Sequence, residues 1–181
     1  MLFNKFITLK DGRECLLRNG EPTDAVQYID YFVKAHEETD YLTTYPDETP
    51  QNTGKTTAYL AETKQSEIDV EIVAVVDGKI VGSAGIHVVK DRIKVKHRAE
   101  FGISILKDYW NLGIGKALME ASIECAKKVG YLQIELDVVK DNETAYCLYR
   151  KYGFVDYGCN PRGFRTKEGQ WQELVLMRLE L

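Results

Sequence analysis

Long apolar runs are missing from this chain of 181 residues. The longest strictly aliphatic run, Ile72 to Val76, is far shorter than the ~20 apolar residues of a membrane-spanning helix. The first residues have no apolar core of the length that a signal peptide needs, because Asn4 and Lys5 interrupt it. These absences predict a cytoplasmic protein with no membrane partner.

Patterns that bind metals or form disulfide frameworks are also missing. The 4 cysteines include no C-x-x-C pair, so neither a structural zinc site nor a disulfide framework is expected. We expect reduced and mostly packed thiols at Cys15, Cys125, Cys147 and Cys159. The histidines His36, His87 and His97 are isolated in the sequence, so no metal site is predicted.

An excess of positive charge is absent too. The chain has 24 Lys plus Arg against 28 Asp plus Glu, a formal net charge of -4. This balance argues against a nucleic-acid partner, which favours a basic face. Hydrophobic residues make up 44% of the chain and charged residues 29%, as in ordinary folded domains. The length favours one domain over 1–181.

Apolar periodicity predicts an α+β fold. Helical spacing predicts helices over 23–38, 56–66, 114–129 and 143–152. Alternation and turn residues predict strands over 6–18 (with a turn at Asp11-Gly12), 70–76, 79–88, 97–106, 132–138, 154–158 and 171–179. Loops are expected over 41–54 and 162–169. Because a strand, a helix and a strand follow one another over 97–138, these two strands should run parallel.

The turn Gly113-Ile114-Gly115 begins the third of these helices. Unpaired backbone N–H groups and the positive end of the helix dipole lie at such a turn, and both favour a phosphate or pyrophosphate. A Walker loop would need four residues between its glycines, and a dinucleotide fingerprint would need Gly or Ala at Leu118. On this motif alone, a tight strand-to-helix connection stays open as the alternative.

The residue order around the turn, Tyr109 to Met119, resembles motif A of the GNAT superfamily of N-acetyltransferases. Trp110 stands where that family has Gln or Arg. The pattern N-x-x-A-x-x-L-Y-x-K-x-G-F, from Asn142 to Phe154, resembles the family's motif B. The segment His97 to Ile103 resembles the start of its fourth strand. The tail, Phe164 to Met177, is similar to the closing hairpin of a branch that acts on small molecules and amino acids.

This resemblance implies acetyl-CoA as the cofactor and the GNAT fold. That fold is a mixed sheet of about six to seven strands flanked by about four helices, with strands four and five parallel and splayed. The pantetheine arm would pair with the backbone of the fourth strand, and the pyrophosphate would lie on the amides of the glycine turn. The residues expected to hold the cofactor are Ile103, Ile105, Asn111, Leu112, Gly113, Ile114, Gly115, Lys116, Asn142 and Tyr149.

Acyl transfer to an amine needs a neutral amine and a proton for the leaving thiolate. Glu100 is the candidate base, because strand alternation places it beside the small residues Gly102 and Ser104. Its alternative role is an ion pair with Arg98 or Lys96, and Asp137 is a rival base. Tyr149 is the candidate acid, because the family places a tyrosine there for that role; the alternative is an aromatic core residue.

The expected function is an acetyl-CoA-dependent N-acetyltransferase that acts on a primary amine of a small molecule or amino acid. Cys147 has no His nearby in sequence, which favours direct attack in a ternary complex over an acetyl-cysteine. The alternatives are a protein N-terminal or lysine acetyltransferase and a non-catalytic acyl-CoA-binding regulator. Tyr41, Tyr45, Asp47 and Glu48 could line the acceptor site. A homodimer is one assembly that the resemblance implies.

Overall fold

The computed structural model describes residues 2–48 and 51–181. Its helices are α1 (Ala25–Glu37), α2 (Thr53–Gln65), α3 (Ile114–Val129) and α4 (Glu143–Lys151). Its strands are β1 (Asn4–Thr8), β2 (Glu14–Asn19), β3 (Val70–Val76), β4 (Lys79–Val88), β5 (Arg98–Ile105), β6 (Gln133–Val139), β7 (Val155–Arg165) and β8 (Trp171–Glu180). The strands form one mixed sheet in the order β1-β2-β3-β4-β5-β6-β8-β7. The predicted α+β class is therefore confirmed.

The described residues contain eight strands, slightly more than the six to seven predicted. The segment predicted as a strand over 6–18 is a hairpin, because Gly12 takes a φ of 89° and the chain reverses there. At the other end β7 continues to Arg165, beyond the predicted limit of Gly158. It is held there by pairing with β8, with register shifts between Asp156 and Gly158 and between Asn160 and Phe164. The loop predicted over 162–169 is correspondingly shorter.

Helix α2 also begins earlier than predicted, at Thr53. The Asn52 side chain caps it by accepting a hydrogen bond from the Lys55 backbone N–H at 3.0 Å. Part of the loop predicted over 41–54, residues Thr49 and Pro50, lies outside the described residues. The last two residues of the predicted loop, Thr53 and Gly54, belong to α2.

Helix α3 has the amphipathic form that its sequence predicts. Ile114, Leu118, Ala121 and Cys125 are buried along one face against the sheet. The helix ends at Gly130, which takes a left-handed φ of 93° and donates its N–H to the carbonyls of the last turn. No helix among residues 2–48 and 51–181 is long and apolar enough to cross a membrane.

The parallel strands β5 and β6 separate after a short contact. They pair at Arg98–Gln133, Ala99–Ile134 and Glu100–Glu135, and no later pair forms. Both strands nevertheless continue, to Ile105 and to Val139. The predicted splay is therefore confirmed, and beyond Glu100 and Glu135 the two strands leave an opening with unpaired backbone edges. These two strands correspond to the fourth and fifth strands of the family's numbering.

The four cysteines are free thiols, as expected. Only two of them are packed, however. Cys15 and Cys125 are fully buried, and burial raises the pKa of each thiol to about 11. Cys147 on α4 and Cys159 on β7 are exposed.

Candidate active site

The glycine turn leaves the first amides of α3 pointing outward. Asn111 and Gly113 take left-handed φ values of 62° and 102°. Gly113 is the N-cap residue, and no side chain of the described residues caps the helix there. A Cβ on Gly113 would meet nothing within 4 Å, so the space in front of these amides is open. Uncapped amides at the positive end of a 16-residue helix favour an anion.

The second glycine of the turn has a different role. A Cβ on Gly115 would lie 3.3 Å from Ile105 Cδ1 and 3.6 Å from Leu148 Cδ2. The missing side chain therefore lets α3 approach both β5 and α4 closely. Lys116 is exposed, with its Nζ 3.7 Å from Glu120 Oε1 on the same helix. The turn is thus held against the open edge of β5.

The free edge of β5 lies directly beside this turn. The Arg98 carbonyl accepts the Val89 N–H and the Leu106 N–H donates to Val81, so even-numbered residues bond toward β4. Backbone groups alternate along a strand, so those of Ile103 and Ile105 face the opening. Trp110 uses this edge, because its Nε1–H donates to the Ile105 carbonyl at 2.7 Å. The residue that departs from the family pattern therefore binds strand backbone.

Tyr149 lies on the α3 and α4 face of the opening. Its ring contacts Phe101 edge-on at 6.2 Å between centroids and Phe154 at 5.8 Å. Its hydroxyl has no hydrogen-bond partner among the described residues, and burial raises the pKa of Tyr149 well above its usual value. The phenol therefore keeps its proton at neutral pH. Asn142 caps α4, since its Oδ1 accepts the Ala145 N–H at 3.2 Å.

Glu100 is exposed on the opposite face, because it alternates with Phe101 along β5. The partner suggested as its alternative, Arg98, binds elsewhere: its Nη2 donates to Glu135 Oε2 at 2.6 Å and its Nε to Glu135 Oε1. Asp137, the rival base, lies on the same face of β6. Its partial burial and the negative charge of Glu135 raise the pKa of Asp137. Glu100 and Tyr149 thus lie on opposite faces of the sheet beside one opening.

The segment between α1 and α2 contacts the β7–β8 hairpin. The Tyr45 hydroxyl accepts the Lys167 backbone N–H at 2.9 Å, and Lys167 Nζ lies 4.5 Å from the centre of the Tyr45 ring. Lys167 Nζ also donates to Asp47 Oδ1 at 2.6 Å. Asp47 is therefore paired with a lysine instead of lining a pocket as a free acid. Tyr41 donates to the Asp141 carbonyl at 3.4 Å.

A cavity of about 190 Å³ lies between this segment and the hairpin. Its lining includes Leu42, Thr44, Tyr45, Phe164, Arg165 and Gln172. Of the four residues expected to line an acceptor site, only Tyr45 is among the cavity's lining residues, whereas Tyr41, Asp47 and Glu48 are not. Glu48 accepts the Tyr45 backbone N–H at 2.9 Å and so shapes the segment itself.

One cluster on the face of Glu100 is not indicated by sequence motifs. We call Glu71, Tyr28, Tyr59 and His87 the Glu71 cluster. Glu71 is 4% exposed, and its carboxylate accepts the Tyr28 hydroxyl at 2.8 Å and the Tyr59 hydroxyl at 3.1 Å. Burial raises the pKa of the Glu71 carboxyl. The single acid in the apolar run of β3 is the local signal that could have marked it.

Comparison with known proteins agrees with this geometry. The family model described as "Acetyltransferase (GNAT) family" matches residues 30–154. An L-amino acid N-acetyltransferase of Escherichia coli is 34% identical over 108 residues, which cover 59% of this chain and 65% of that protein. The match thus spans less than two thirds of that relative's length.

Two solved structures have the same fold. An acetyltransferase of the GNAT family from Streptococcus pneumoniae has a TM-score of 0.88 and 31% identity, covering 92% of this chain and 99% of that one. The yncA protein of Salmonella typhimurium, solved with its cofactor acetyl-CoA, has a TM-score of 0.80 and 18% identity, covering 92% and 94%. With most of its length matched by the family model, the chain belongs to the GNAT acetyltransferase family.

Proposed function

We propose that this family member transfers an acetyl group from acetyl-CoA to the primary amine of a small molecule or amino acid. The observation that carries the proposal is the opening between β5 and β6, with the uncapped α3 amides at one end. Glu100 and Tyr149 lie beside this opening on its two faces.

The residues present fit acetyl-CoA. The open space at Gly113 and the amides of Asn111 to Lys116 suit a pyrophosphate, which is doubly anionic. The β5 edge offers the backbone groups of Ile103 and the N–H of Ile105 to the amides of an extended arm, whereas the Ile105 carbonyl already accepts Trp110. When bound, acetyl-CoA supplies an activated acetyl group as a thioester. The Asn142 amide NH₂ remains available beside it, because only its Oδ1 caps α4.

Two side chains would handle the protons of the transfer. At pH 7 an unperturbed lysine-type amine is neutral about one time in 2,500 and an α-amino group roughly one time in seven, so a base contributes most with a lysine-like acceptor. Glu100 would accept the proton of the acceptor ammonium on its face of the sheet. Tyr149, which keeps its proton because it is buried, would donate to the departing sulfur from the other face.

Direct attack of the amine on the thioester is supported by the protonation and the positions of the cysteine thiols. Burial keeps Cys15 and Cys125 protonated, which makes them poor nucleophiles. Cys147 is exposed on α4, whereas Tyr149 on the same helix is buried against Phe101. Cys15, Cys125 and Cys147 are therefore not placed to accept the acetyl group first.

A small acceptor is supported by the size of the cavity beside the β7–β8 hairpin. At about 190 Å³ it would hold an amino acid more readily than a folded protein segment. The Escherichia coli relative is named as an L-amino acid N-acetyltransferase, and an amino acid is an acceptor of this small size.

Thermal unfolding with acetyl-CoA, CoA or ATP tests the donor. Ligand at 100 times Kd adds ~2.7 kcal/mol, which should raise Tm by about 5–10 °C. We expect a rise with acetyl-CoA and CoA but not with ATP. No rise at millimolar acetyl-CoA, with a clean transition, would remove the enzyme proposal.

An amine panel with thiol release as readout tests the acceptor. It contains L-amino acids, a peptide with a free N-terminal alanine and an N-blocked lysine peptide. Amino acids are expected to be the best substrates. A clear preference for either peptide would identify a protein acetyltransferase, and cofactor binding without any transfer would identify a regulator.

A further inference from the structure

The Glu71 cluster is made possible by a glycine in the middle of β4. A Cβ on Gly85 would lie 2.7 Å from both Glu71 Oε2 and His87 Nε2. Glycine weakens a strand interior, so its presence here marks a close approach of side chains. His87 Nε2 lies 3.9 Å from Glu71 Oε2 and 3.3 Å from the Tyr59 hydroxyl oxygen. The imidazole is therefore held against a buried carboxylate.

Strand register joins this cluster to the candidate base. His87 lies directly opposite Glu100 on the neighbouring strand. Directly opposed residues project from the same face with Cβ atoms about 5 Å apart. Gly85 is likewise opposite Gly102, where an added Cβ would meet nothing within 4 Å. The sheet surface between the cluster and the opening is therefore clear of side chains at Gly102.

His87 also reaches solvent on its other side. Its side chain is 40% exposed and lines a surface cavity of about 480 Å³ that is shared with Asp69 and Glu62. His87 Nδ1 lies 3.7 Å from Asp69 Oδ1. An acceptor bound at the opening would cover Glu100, whereas this cavity lies toward α2. A proton on His87 can therefore reach water through this cavity, without passing the proposed acceptor site.

We propose that His87, positioned by Glu71 and Asp69, carries the proton from Glu100 to solvent. This inference rests on the proposed function. The acceptor ammonium gives a proton to the Glu100 carboxylate, and the N–H electron pair stays on nitrogen. Glu100 and His87 are opposed across the strands but share no direct ion pair, so the Glu100 carboxyl passes this proton through an intervening water to a ring nitrogen of His87. The imidazolium faces two carboxylates and then releases a proton to water in the cavity, which restores neutral His87.

The titratable groups around His87 come from every element packed beside it. They are Tyr59 and Glu62 of α2, Asp69 before β3, Glu71 of β3, Glu100 of β5 and, through Glu71, Tyr28 of α1. The tyrosines stay protonated because burial raises the pKa values of Tyr28 and Tyr59. His87 is the one residue of this set with two ring nitrogens that can bind and release a proton.

The test is the pH–rate profile of His87→Gln, which cannot carry the proton. We expect kcat/KM at pH 7 to fall by about tenfold to a hundredfold, because acid–base help of this kind is worth about 10²–10⁴ in full. Above about pH 9 the amine loses its proton unaided, so the two profiles should converge. Glu71→Gln should shift the profile in the same direction by a smaller factor. His97→Gln is the matched control and should leave it unchanged.

Each outcome decides the proposal. A fall by the same factor at every pH would give His87 a structural role and overturn the relay, as would an unchanged profile. The Tm of each variant, and its rise with acetyl-CoA, must match wild type, which keeps misfolding apart from chemistry. If the wild-type enzyme itself acetylates no amine, the proposed function fails and the relay is overturned with it.

Discussion

The two sides of the opening are built in different ways. The proposed donor side, residues 98–154, is one continuous stretch in which backbone groups face the opening. The proposed acceptor side, residues 25–88 and 155–181, is assembled from side chains far apart in sequence. Lys167 contacts Tyr45 and Asp47 across more than a hundred residues, and Glu71 contacts Tyr28 on another element. Local sequence therefore describes the donor side, whereas strand register and loop packing create the acceptor side.

This difference determines which side-chain substitutions each side tolerates. A ligand held by backbone amides tolerates many side chains, so Trp110 in place of the family's Gln or Arg is compatible with the proposed anion site. A ligand held by side chains changes with each substitution. The donor should therefore be common to the family, and the acceptor particular to this chain.

The sharpest test of the donor side is Tyr149→Phe. The ring contacts to Phe101 and Phe154 remain, and only the hydroxyl is lost. We expect kcat to fall by about 10²–10⁴ while the rise of Tm with acetyl-CoA stays the same. Steady-state kinetics and thermal unfolding measure the two effects.

A matched control lies three residues further on. The Tyr152 hydroxyl donates to Glu120 Oε1 at 2.8 Å, away from the opening. Tyr152→Phe should leave kcat unchanged. If Tyr149→Phe were as fast as wild type, the tyrosine would be a packing residue, and the chemistry would not depend on the donor side.

Glu100→Gln tests whether the base lies on the sheet face of the Glu71 cluster, although Glu100 itself belongs to the 98–154 stretch. The amide cannot accept the proton, so kcat/KM should fall by about a hundredfold at pH 7 and by much less above pH 8, where more of the amine is neutral. The measurement is the pH–rate profile with the best amine substrate.

Asp137→Asn is the control variant for assigning the base to Glu100. Its raised pKa makes Asp137 the nearest rival on this face. We expect its profile to keep the wild-type shape. An unaltered profile for Glu100→Gln together with a shifted one for Asp137→Asn would transfer the role to β6.

Gly113→Ala tests the backbone site with a smaller expected effect. The left-handed φ of 102° costs alanine about 1 kcal/mol, and its methyl group would occupy the open space before the α3 amides. We expect acetyl-CoA to bind about tenfold more weakly, as measured by calorimetry.

Gly130→Ala, at the other end of α3, separates strain from binding. Its φ of 93° and the open space around it match those of Gly113. It should lower Tm to a similar extent but leave the Kd for acetyl-CoA unchanged. Equal Kd values for the two variants would mean that no anion binds at the turn.

Arg98→Gln tests the junction where β5 and β6 last touch. Glu135 is 7% exposed, so removing its charged partner should cost about 1–3 kcal/mol. That corresponds to about 2–4 °C of Tm for each kcal/mol. Hydrogen bonds from Arg98 lower the pKa of Glu135 below its usual value. The stabilisation is therefore present above about pH 4.3 and lost as pH falls through the lowered native value.

Thermal scans at pH 7 and below pH 4 check this sign. The Tm difference between wild type and Arg98→Gln should be largest at pH 7 and shrink in acid. The exposed pair Lys128–Glu124 on α3 supplies the control. Lys128→Gln should give no resolvable change in Tm at either pH. A difference that grows in acid would contradict the assignment.

The helices and strands of residues 98–154 could be predicted from the sequence because the patterns that define them are local. The period of α3, the glycines at both of its ends and the alternation of β5 are each read within one element. The missed features depend on partners. The length of β7 follows from pairing with β8 across two register shifts, whereas the reversal at Gly12 between β1 and β2 lies at the predicted Asp11-Gly12 turn.

The Glu71 cluster is the clearest example of an arrangement that the sequence alone does not predict. In the sequence, Glu71 is one acid in an apolar strand and His87 is one isolated histidine. Only the pairing of β3 with β4 brings them together over Gly85, and only the pairing of β4 with β5 places His87 opposite Glu100. The sequence alone determined the helices, the alternating strands and the glycine turn before α3, because these depend on residues a few positions apart. The tertiary structure decided which side chains share a face, because register across strands is set by packing of the whole sheet.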